Sequence, residues 1–114
     1  MTKAYVPKPG DVVWLEFDPQ TGHEQKGTRP ALVLSPAEYN AKTLMMLCCP
    51  ITNQVKGYPF EVVIDSNSSV TGAVLADQVK SLDWQARNAR YKGKITIDQM
   101  QEVRGKIKAL LGIK

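Results

Sequence analysis

Residues 12–34 read V-V-W-L-E-F-D-P-Q-T-G-H-E-Q-K-G-T-R-P-A-L-V-L, and this stretch decides how the chain is interpreted. Two apolar runs rich in β-forming residues, Val12–Phe17 and Ala31–Leu34, predict two strands of one small sheet. The polar connection between them, from Asp18 to Arg29, is long for a link between strands. Long connections in compact domains are usually functional or disordered, and a loop held between rigid strands favours function.

The loop carries the side chains that proton transfer and phosphate binding require. It holds the only histidine of the chain, His23, next to Glu24, and it ends near Arg29. An imidazole ionises near neutral pH, a carboxylate can accept a proton, and a guanidinium binds anionic oxygens through a fork of N–H donors. A structural alternative stays open: Arg29 pairs with Glu16 or Asp18, and His23 and Glu24 are solvated loop residues.

Length and composition restrict the class of protein. The 114 residues suit one domain, 1–114, with one core, and the 43% hydrophobic content is ordinary for a globular chain. No apolar run approaches the roughly 20 residues of a membrane-spanning helix, and no apolar signal core follows the first residues. We therefore expect a cytoplasmic protein. The net charge of +4 favours an anionic partner without identifying it.

The cysteines predict a reduced protein without a metal site. Cys48 and Cys49 are adjacent in an apolar run, and neighbours in a strand point to opposite faces of the sheet. They are therefore expected to be small buried thiols and not a disulfide pair. With one histidine and no Cys-x-x-Cys motif, neither a metal nor another cofactor is expected.

Local patterns predict further strands along the chain. Pro50 is expected to close the strand predicted at Leu44–Cys49, because a proline has no backbone N–H to donate to a ladder. The predicted strands are Leu44–Cys49, Phe60–Ile64, Gly72–Val79 and Gly93–Ile95.

Three helices are predicted. Ser35 caps a single turn that ends near Asn40, and Ser81–Ala86 forms another short helix. A second capping box at Thr96, an apolar stripe at helical spacing and a final Gly112 predict an amphipathic C-terminal helix. The fold class is therefore mainly β (α+β): a small, strongly bent, barrel-like antiparallel sheet with the C-terminal helix packed on it.

Several motifs resemble those of the MazF/PemK family of toxin–antitoxin endoribonucleases. They cover nearly the whole chain: V-P-K-P-G-D at 6–11, F-D-P at 17–19, G-H-E-Q-K-G-T-R-P at 22–30, L-S-P at 34–36, K-G-Y-P-F-E-V-V at 56–63 and A-D-Q-V-K-S at 76–81. The resemblance implies a homodimer of SH3-like or CcdB-like antiparallel β-barrels. It also implies metal-independent cleavage of single-stranded mRNA at a short sequence such as ACA, which inhibits translation and growth. A cognate antitoxin would neutralise the toxin by laying a disordered C-terminal tail over the active surface.

The resemblance also implies a set of catalytic residues. MazF-like members combine the arginine of the R-P motif with a threonine and a neighbouring acid, which correspond here to Arg29, Thr52 and Glu24. In this set Glu24 is the base, Arg29 binds the phosphate and Thr52 gives a hydroxyl to a phosphate oxygen. The structural alternative for Thr52 is that it begins a turn.

PemK-like members use a second set. They rely on a histidine at the position of His23, an aspartate at that of Asp77, and an arginine two residues before the aspartate. Leu75 occupies that last position here, so the second set is incomplete. We therefore rank Arg29 and Thr52 first and Glu24 next, with His23 as an auxiliary acid or base and Asp77 last. Asp77 has the structural alternative of capping the backbone or holding Arg29.

RNA recognition requires groups that stack on bases and read their edges. The candidates are Gln25, Asn53, Lys56, Phe60 and Gln78. Phe60 is equally plausible as a core residue, and Trp14 fits an antitoxin or dimer contact better than a base platform.

Two rival functions remain at the level of sequence. A CcdB-like gyrase poison would share the fold and lack the nuclease site. A non-catalytic SH3-like module would need a groove lined with aromatic side chains, and only 7% of the residues are aromatic.

Overall fold

A computed structural model describes residues 5–16, 27–64 and 70–114. Within these ranges the strands are β1 (Asp11–Glu16), β2 (Thr28–Val33), β3 (Met45–Thr52), β4 (Glu61–Ile64), β5 (Gly72–Leu75), β6 (Lys80–Asp83) and β7 (Arg90–Lys94), and the helices are α1 (Ala37–Thr43) and α2 (Ile97–Leu111). Neither of these two helices combines the length and the apolar character needed to cross a membrane.

The strands form one antiparallel sheet in the order β4-β5-β3-β2-β1-β7, with β6 also paired to β3. The long strand β3 organises this sheet because it changes partner along one edge. Its first half, Met45–Cys48, pairs with β6, whereas Ile51 and Thr52 pair with β5. The prediction of a bent antiparallel sheet with a C-terminal helix is confirmed.

Apolar side chains pack on both faces of the sheet. Val12 and Cys49 belong to one core, which α2 covers with Val103. Val13 and Cys48 belong to a second core on the other side. Adjacent residues of a strand thus enter different cores, as the alternation of side chains requires. The expectation that the two cysteines point to opposite faces is confirmed.

A buried carboxylate attaches the N-terminal segment to the sheet. Asp11 is 1% exposed, and its Oδ2 accepts hydrogen bonds from the Tyr5 hydroxyl at 2.6 Å and the Lys8 N–H at 3.1 Å. The ammonium of Lys94 in β7 lies 3.4 Å from its Oδ1. Burial and the hydrogen bond to Asp11 raise the pKa of Tyr5 well above its ordinary value, so this phenol stays a donor.

The predicted first helix differs from α1 at both ends. Pro36 stands at the N-cap position, and no side chain caps the helix there. The Ser35 hydroxyl instead donates to Asn40 Oδ1 at 2.6 Å and accepts from the Leu47 N–H at 2.9 Å. The prediction that Ser35 caps the helix was wrong, because the buried serine joins α1 to β3. The helix also continues past Asn40 to Thr43.

The predicted helix at Ser81–Ala86 was also wrong. Residues 80–83 form β6 and pair with β3, and a turn follows in which Asp83 Oδ1 accepts the Ala86 N–H at 2.8 Å. The predicted strand Gly72–Val79 ends at Leu75 because a turn begins at Ala76. Strand pairing supplied from a distant part of the chain decided the conformation of residues 80–83.

Two prolines lie inside strands, which the sequence interpretation did not expect. Pro50 lies within β3 and does not close it, and β2 begins three residues before Ala31 and includes Pro30. Each proline removes one N–H that a ladder would use. Both prolines lie where β2 and β3 cease to pair, and that position determines the site described next.

Candidate functional site

A groove opens where β2 and β3 diverge. The described ladder between them pairs Val33 with Cys48, Leu32 with Cys49 and Ala31 with Pro50, and it ends there. Beyond that point β2 continues beside β1, whereas β3 turns to pair with β5. The groove has a volume of about 760 Å³, and both strand segments beyond the fork line it. We call this the fork groove.

Arg29 and Thr52 lie on opposite sides of the fork. Arg29 is two residues before Ala31, and Thr52 is two residues after Pro50, so a ladder that continued would pair them directly. Residues paired in this way project from the same face of a sheet. Both side chains line the fork groove. The structure therefore brings together the two residues that the sequence interpretation ranked first.

The hydroxyl of Thr52 already has one hydrogen-bond partner. Its Oγ1 accepts the N–H of Gln54 at 3.0 Å, as in a turn that begins at a threonine. Thr52 therefore begins a turn, as the structural alternative stated. Because the oxygen acts as the acceptor in that bond, the hydroxyl hydrogen stays available for donation to a ligand in the groove.

Gly72 allows β5 to approach the end of β3 closely. Its φ is +115°, and a Cβ at this position would lie 2.4 Å from the carbonyl oxygen of Thr52. The neighbouring residue, Ala73, pairs with Thr52. A side chain at position 72 would therefore displace the backbone that carries the Thr52 hydroxyl.

The other end of the fork groove is basic and aromatic. Trp14 lies in β1 opposite Pro30, and the ammonium of Lys92 stands 4.9 Å from its ring centroid. Lys80 and Lys92 line the groove together with Arg29 and Trp14. Three cationic side chains in one concave surface favour an anionic ligand.

A second, smaller cavity adjoins the first. We call it the side cavity; its volume is about 260 Å³. Thr52, Gln54, Leu75 and Gln78 line both cavities, so the two cavities are adjacent. The side cavity alone is lined by Lys56, Tyr58, Phe60, Glu61 and Asp77.

The predicted RNA-binding residues divide between these two cavities. Asn53 lines the fork groove, Lys56 and Phe60 line the side cavity, and Gln78 lines both. Phe60 is partly buried and borders the side cavity, and it is not among the described members of either core. Asp77 is exposed in the turn after β5. It is not among the described residues that line the fork groove with Arg29. The predictions for His23, Glu24 and Gln25 fall outside the described residues.

Several lining residues were not among the predicted site residues, and four of them are the polar or aromatic side chains Gln54, Tyr58, Lys80 and Lys92. The sequence offered a signal for two of them. Tyr58 lies in the K-G-Y-P-F segment between two predicted strands, and Lys92 alternates with Arg90 and Lys94. Lys80 fell between the predicted strand Gly72–Val79 and the predicted helix Ser81–Ala86, so it was assigned to neither, whereas it begins β6.

Cys48 lines the fork groove and Cys49 points into the other core, and neither thiol is suited to reaction. Burial raises the pKa of Cys48 to about 11, although Lys80 and Arg87 partly oppose this shift. Burial raises the pKa of Cys49 to about 12, with further contributions from Cys48 and Asp77. A thiol with a raised pKa is a poor nucleophile at neutral pH because the thiolate is scarce. Across residues 5–16, 27–64 and 70–114, no three His, Cys, Asp or Glu side chains form a cluster that could hold a metal ion.

Comparisons with known proteins agree on one family. Residues 8–111 match the model of the PemK-like, MazF-like toxins of type II toxin–antitoxin systems. The chain is 53% identical to the endoribonuclease toxin MazF of Escherichia coli K12 over 112 residues, which span 98% of this chain and 100% of that protein. It is 33% identical to the endoribonuclease PemK of Escherichia coli, over 90% of this chain and 80% of that protein.

Solved structures give the same result. A MazE–MazF crystal structure from Deinococcus radiodurans superimposes with a TM-score of 0.87 at 50% identity, covering 97% of this chain and 100% of that one. Crystallised MazF from the same organism gives a TM-score of 0.86 at 54% identity, covering 96% of this chain and 100% of that one. These matches do not support the alternative of a CcdB-like gyrase poison.

Proposed function

The chain belongs to the family of PemK-like, MazF-like toxins of type II toxin–antitoxin systems, and we propose that it is an endoribonuclease that cleaves single-stranded RNA at a short sequence without a metal ion. The observation that carries this proposal is the position of Arg29 and Thr52 on opposite sides of the fork groove. A phosphate between them meets a guanidinium and a hydroxyl, which are the donors that a transferring phosphoryl group needs.

The reaction is an attack of the ribose 2′-oxygen on the adjacent phosphorus. The bond between the 2′-oxygen and phosphorus forms, and the bond between phosphorus and the 5′-oxygen breaks. The 2′-hydroxyl gives its proton to a base, and the departing 5′-oxygen receives a proton from an acid. The products are a 2′,3′-cyclic phosphate and a 5′-hydroxyl end.

The roles of the proposed residues follow from these requirements. Glu24 accepts the proton of the 2′-hydroxyl, and His23 serves as an auxiliary acid or base; both roles rest on the family resemblance. Arg29 binds the non-bridging phosphate oxygens through two parallel N–H donors, and Thr52 donates its hydroxyl hydrogen to one of them. Negative charge grows on these oxygens in the transition state, so both contacts strengthen as the reaction proceeds. Asp77 has the lowest rank.

The partners follow from the same surface. Lys80, Lys92 and Arg29 line the fork groove, so RNA and an acidic antitoxin segment compete for one basic surface. The relative from Deinococcus radiodurans was crystallised as a MazE–MazF complex. We infer a cognate antitoxin whose disordered C-terminal tail covers the groove and contacts Trp14, a homodimeric toxin, and action on mRNA in the cytoplasm, where it inhibits translation and growth.

Cleavage of a mixed RNA by the purified protein in EDTA tests the proposal. We expect cuts at one short sequence, which we expect to resemble ACA, and the new 5′ ends should accept an adapter only after treatment with polynucleotide kinase. Addition of magnesium should not be required for cleavage. Arg29→Ala protein, purified in parallel, controls for contaminating nucleases. RNA that stays intact in the absence of antitoxin, or cleavage that requires a metal ion, contradicts the proposal.

A further inference from the structure

The segment 56–60, which joins β3 to β4, forms one wall of the side cavity. Its residues Lys56, Tyr58 and Phe60 line that cavity. Tyr58 is 60% exposed, and Phe60 is partly buried. The described members of the two cores include no residue of this segment, so the segment makes little contribution to either of them.

A buried carboxylate holds this exposed segment. Glu61 is 9% exposed, and its Oε1 accepts the N–H of Gly57 at 2.8 Å and the N–H of Lys56 at 3.0 Å. Its Oε2 lies 3.3 Å from the same Lys56 nitrogen. Hydrogen bonds from N–H groups to an ionised carboxylate are short and strong compared with neutral ones. They fix the turn at Gly57, whose φ is +81°.

Further contacts hold the other end of the segment. The ammonium of Lys106 in α2 donates to the Pro59 carbonyl at 2.6 Å. The Ala76 N–H donates to the Phe60 carbonyl, and the Glu61 N–H donates to the Tyr58 carbonyl, both at 3.0 Å. All five residues of the segment thus take part in hydrogen bonds that hold it in place.

We propose that Glu61 is a positioning residue for RNA binding, and this inference rests on the proposed function. Its carboxylate holds segment 56–60 as a preformed wall against which one unpaired nucleobase stacks in the side cavity. Tyr58 and Phe60 supply the aromatic surface, and the amides of Gln54 and Gln78 on the cavity lining can donate to and accept from the base edge.

The burial of the carboxylate supports this role. Removing a carboxylate from water is costly, and Glu61 uses its oxygens to order a segment that lies mostly in solvent. Such an arrangement is expected where the shape of a binding surface matters, since a wall ordered before binding lowers the entropic cost of association. The side cavity shares Thr52 with the fork groove, so a base in the side cavity and the reacting phosphate in the fork groove would belong to one RNA strand.

The test compares Glu61→Ala and Glu61→Gln with the wild-type protein. The substrate is a short RNA that carries the cleavage sequence mapped for the wild-type enzyme, and kcat and KM are measured separately. We expect Glu61→Ala to raise KM about tenfold, the order of affinity that stacking of one base contributes. We expect kcat to change less than about threefold because Arg29 lines the fork groove and is not among the residues that line the side cavity. Glu61→Gln retains one accepting oxygen, and it should recover most of the lost affinity.

Asp11→Ala is the matched control. Asp11 is also a buried carboxylate that accepts a backbone N–H of a nearby turn, but it is not among the residues that line either cavity. The Asp11→Ala variant should have a lower melting temperature and an unchanged KM at temperatures where it is folded. If Glu61→Ala does not fold, Lys106→Met removes the contact to Pro59 and should raise KM about threefold.

Amide hydrogen exchange supplies a readout that does not depend on cleavage. The Lys56 and Gly57 amides should be protected in the wild-type protein and should exchange faster in Glu61→Gln. If KM is unchanged in folded Glu61→Ala, this inference is wrong and the proposed function still stands. The same holds for an unchanged KM in Lys106→Met where Glu61→Ala does not fold. Unprotected Lys56 and Gly57 amides in the wild-type protein also overturn the inference. A wild-type protein that cuts no RNA overturns the proposed function and this inference with it.

Discussion

Arg29 on β2 and Thr52 on β3 occupy register positions that would pair directly if the ladder between their strands ran two residues further. The ladder stops at Ala31 and Pro50, and the two side chains line the groove that opens there. The paired parts of β2 and β3 therefore set the distance between Arg29 and Thr52, the two residues proposed to bind the phosphate. The site is positioned by the sheet itself.

This relationship predicts that Arg29 and Thr52 act on one phosphate. Arg29→Ala should lower kcat about 10²–10³-fold, the usual effect of losing one donor to a developing oxyanion. Thr52→Val should lower it about 10–100-fold, whereas Thr52→Ser should keep most of the activity because the hydroxyl remains. The double variant should lose less than the product of the two single losses. Losses that multiply in full would indicate that the two residues act independently.

Gly72 should be required for both stability and activity. Gly72→Ala places a Cβ 2.4 Å from the Thr52 carbonyl oxygen at a φ of +115°, so we expect a loss of about 1–3 kcal/mol in unfolding free energy. The displaced end of β3 should also lower kcat. Gly105→Ala is the control: a Cβ there would meet no atom within 4 Å beyond its chain neighbours and the backbone of α2 around it. It should stabilise the protein by about 1 kcal/mol in urea unfolding.

Asp77→Asn distinguishes the two possible catalytic sets. Asp77 lines the side cavity and is separate from the described lining of the groove that holds Arg29. We expect it to lower kcat less than tenfold, far less than Arg29→Ala does. Leu75→Arg, which would restore the missing member of the PemK-like set, should likewise change the rate little. A loss in Asp77→Asn as large as that in Arg29→Ala would show that the second set operates.

The thiols predict that stability falls in alkaline solution. Burial raises the pKa of Cys48 to about 11 and that of Cys49 to about 12, from an ordinary value of 9.0. Between pH 9 and 12 the unfolded thiols ionise while the folded ones stay protonated, so the unfolded state gains stability. The urea midpoint should be steady up to about pH 8.5 and fall above 9. The decline should be shallower in Cys49→Ala, which removes one of the two groups.

Lys92 should contribute to RNA affinity through charge. Its ammonium lines the fork groove above Trp14, so Lys92→Gln should weaken binding of all single-stranded RNAs to a similar extent. The slope of log K against log salt concentration should become shallower by about 0.7, the value for one contact to a single strand. Lys108→Gln makes the same change of net charge on the exposed surface of α2. It should leave this slope unaltered.

Patterns that depend on neighbouring residues were predictable from the sequence. The capping box at Thr96 and the glycine at position 112 delimit α2 as expected, since both signals act within one turn of the helix. The alternation at Cys48 and Cys49 placed the two thiols in different cores. The family resemblance implied roles for Arg29 and Thr52, but it gave no information about how these residues are positioned relative to each other.

Features that depend on distant partners were not predictable from one sequence. Residues 80–83 are a strand only because Met45–Cys48 presents an edge for pairing. Ser35 resembles a helix cap, but in the folded protein its hydroxyl donates to Asn40 and accepts from the Leu47 N–H. Proline usually ends a ladder, yet Pro50 lies inside β3, the strand that changes partner. In each case a tertiary contact outweighed the local preference.

The open fork has a kinetic consequence. Between the described parts of β2 and β3 the ladder already ends at Ala31 and Pro50, so an incoming strand of RNA need not break hydrogen bonds there. Encounter with the basic groove would then limit the association rate, which should rise linearly with RNA concentration and fall steeply with ionic strength. An antitoxin would then have to compete with RNA through its association rate as well as through its affinity.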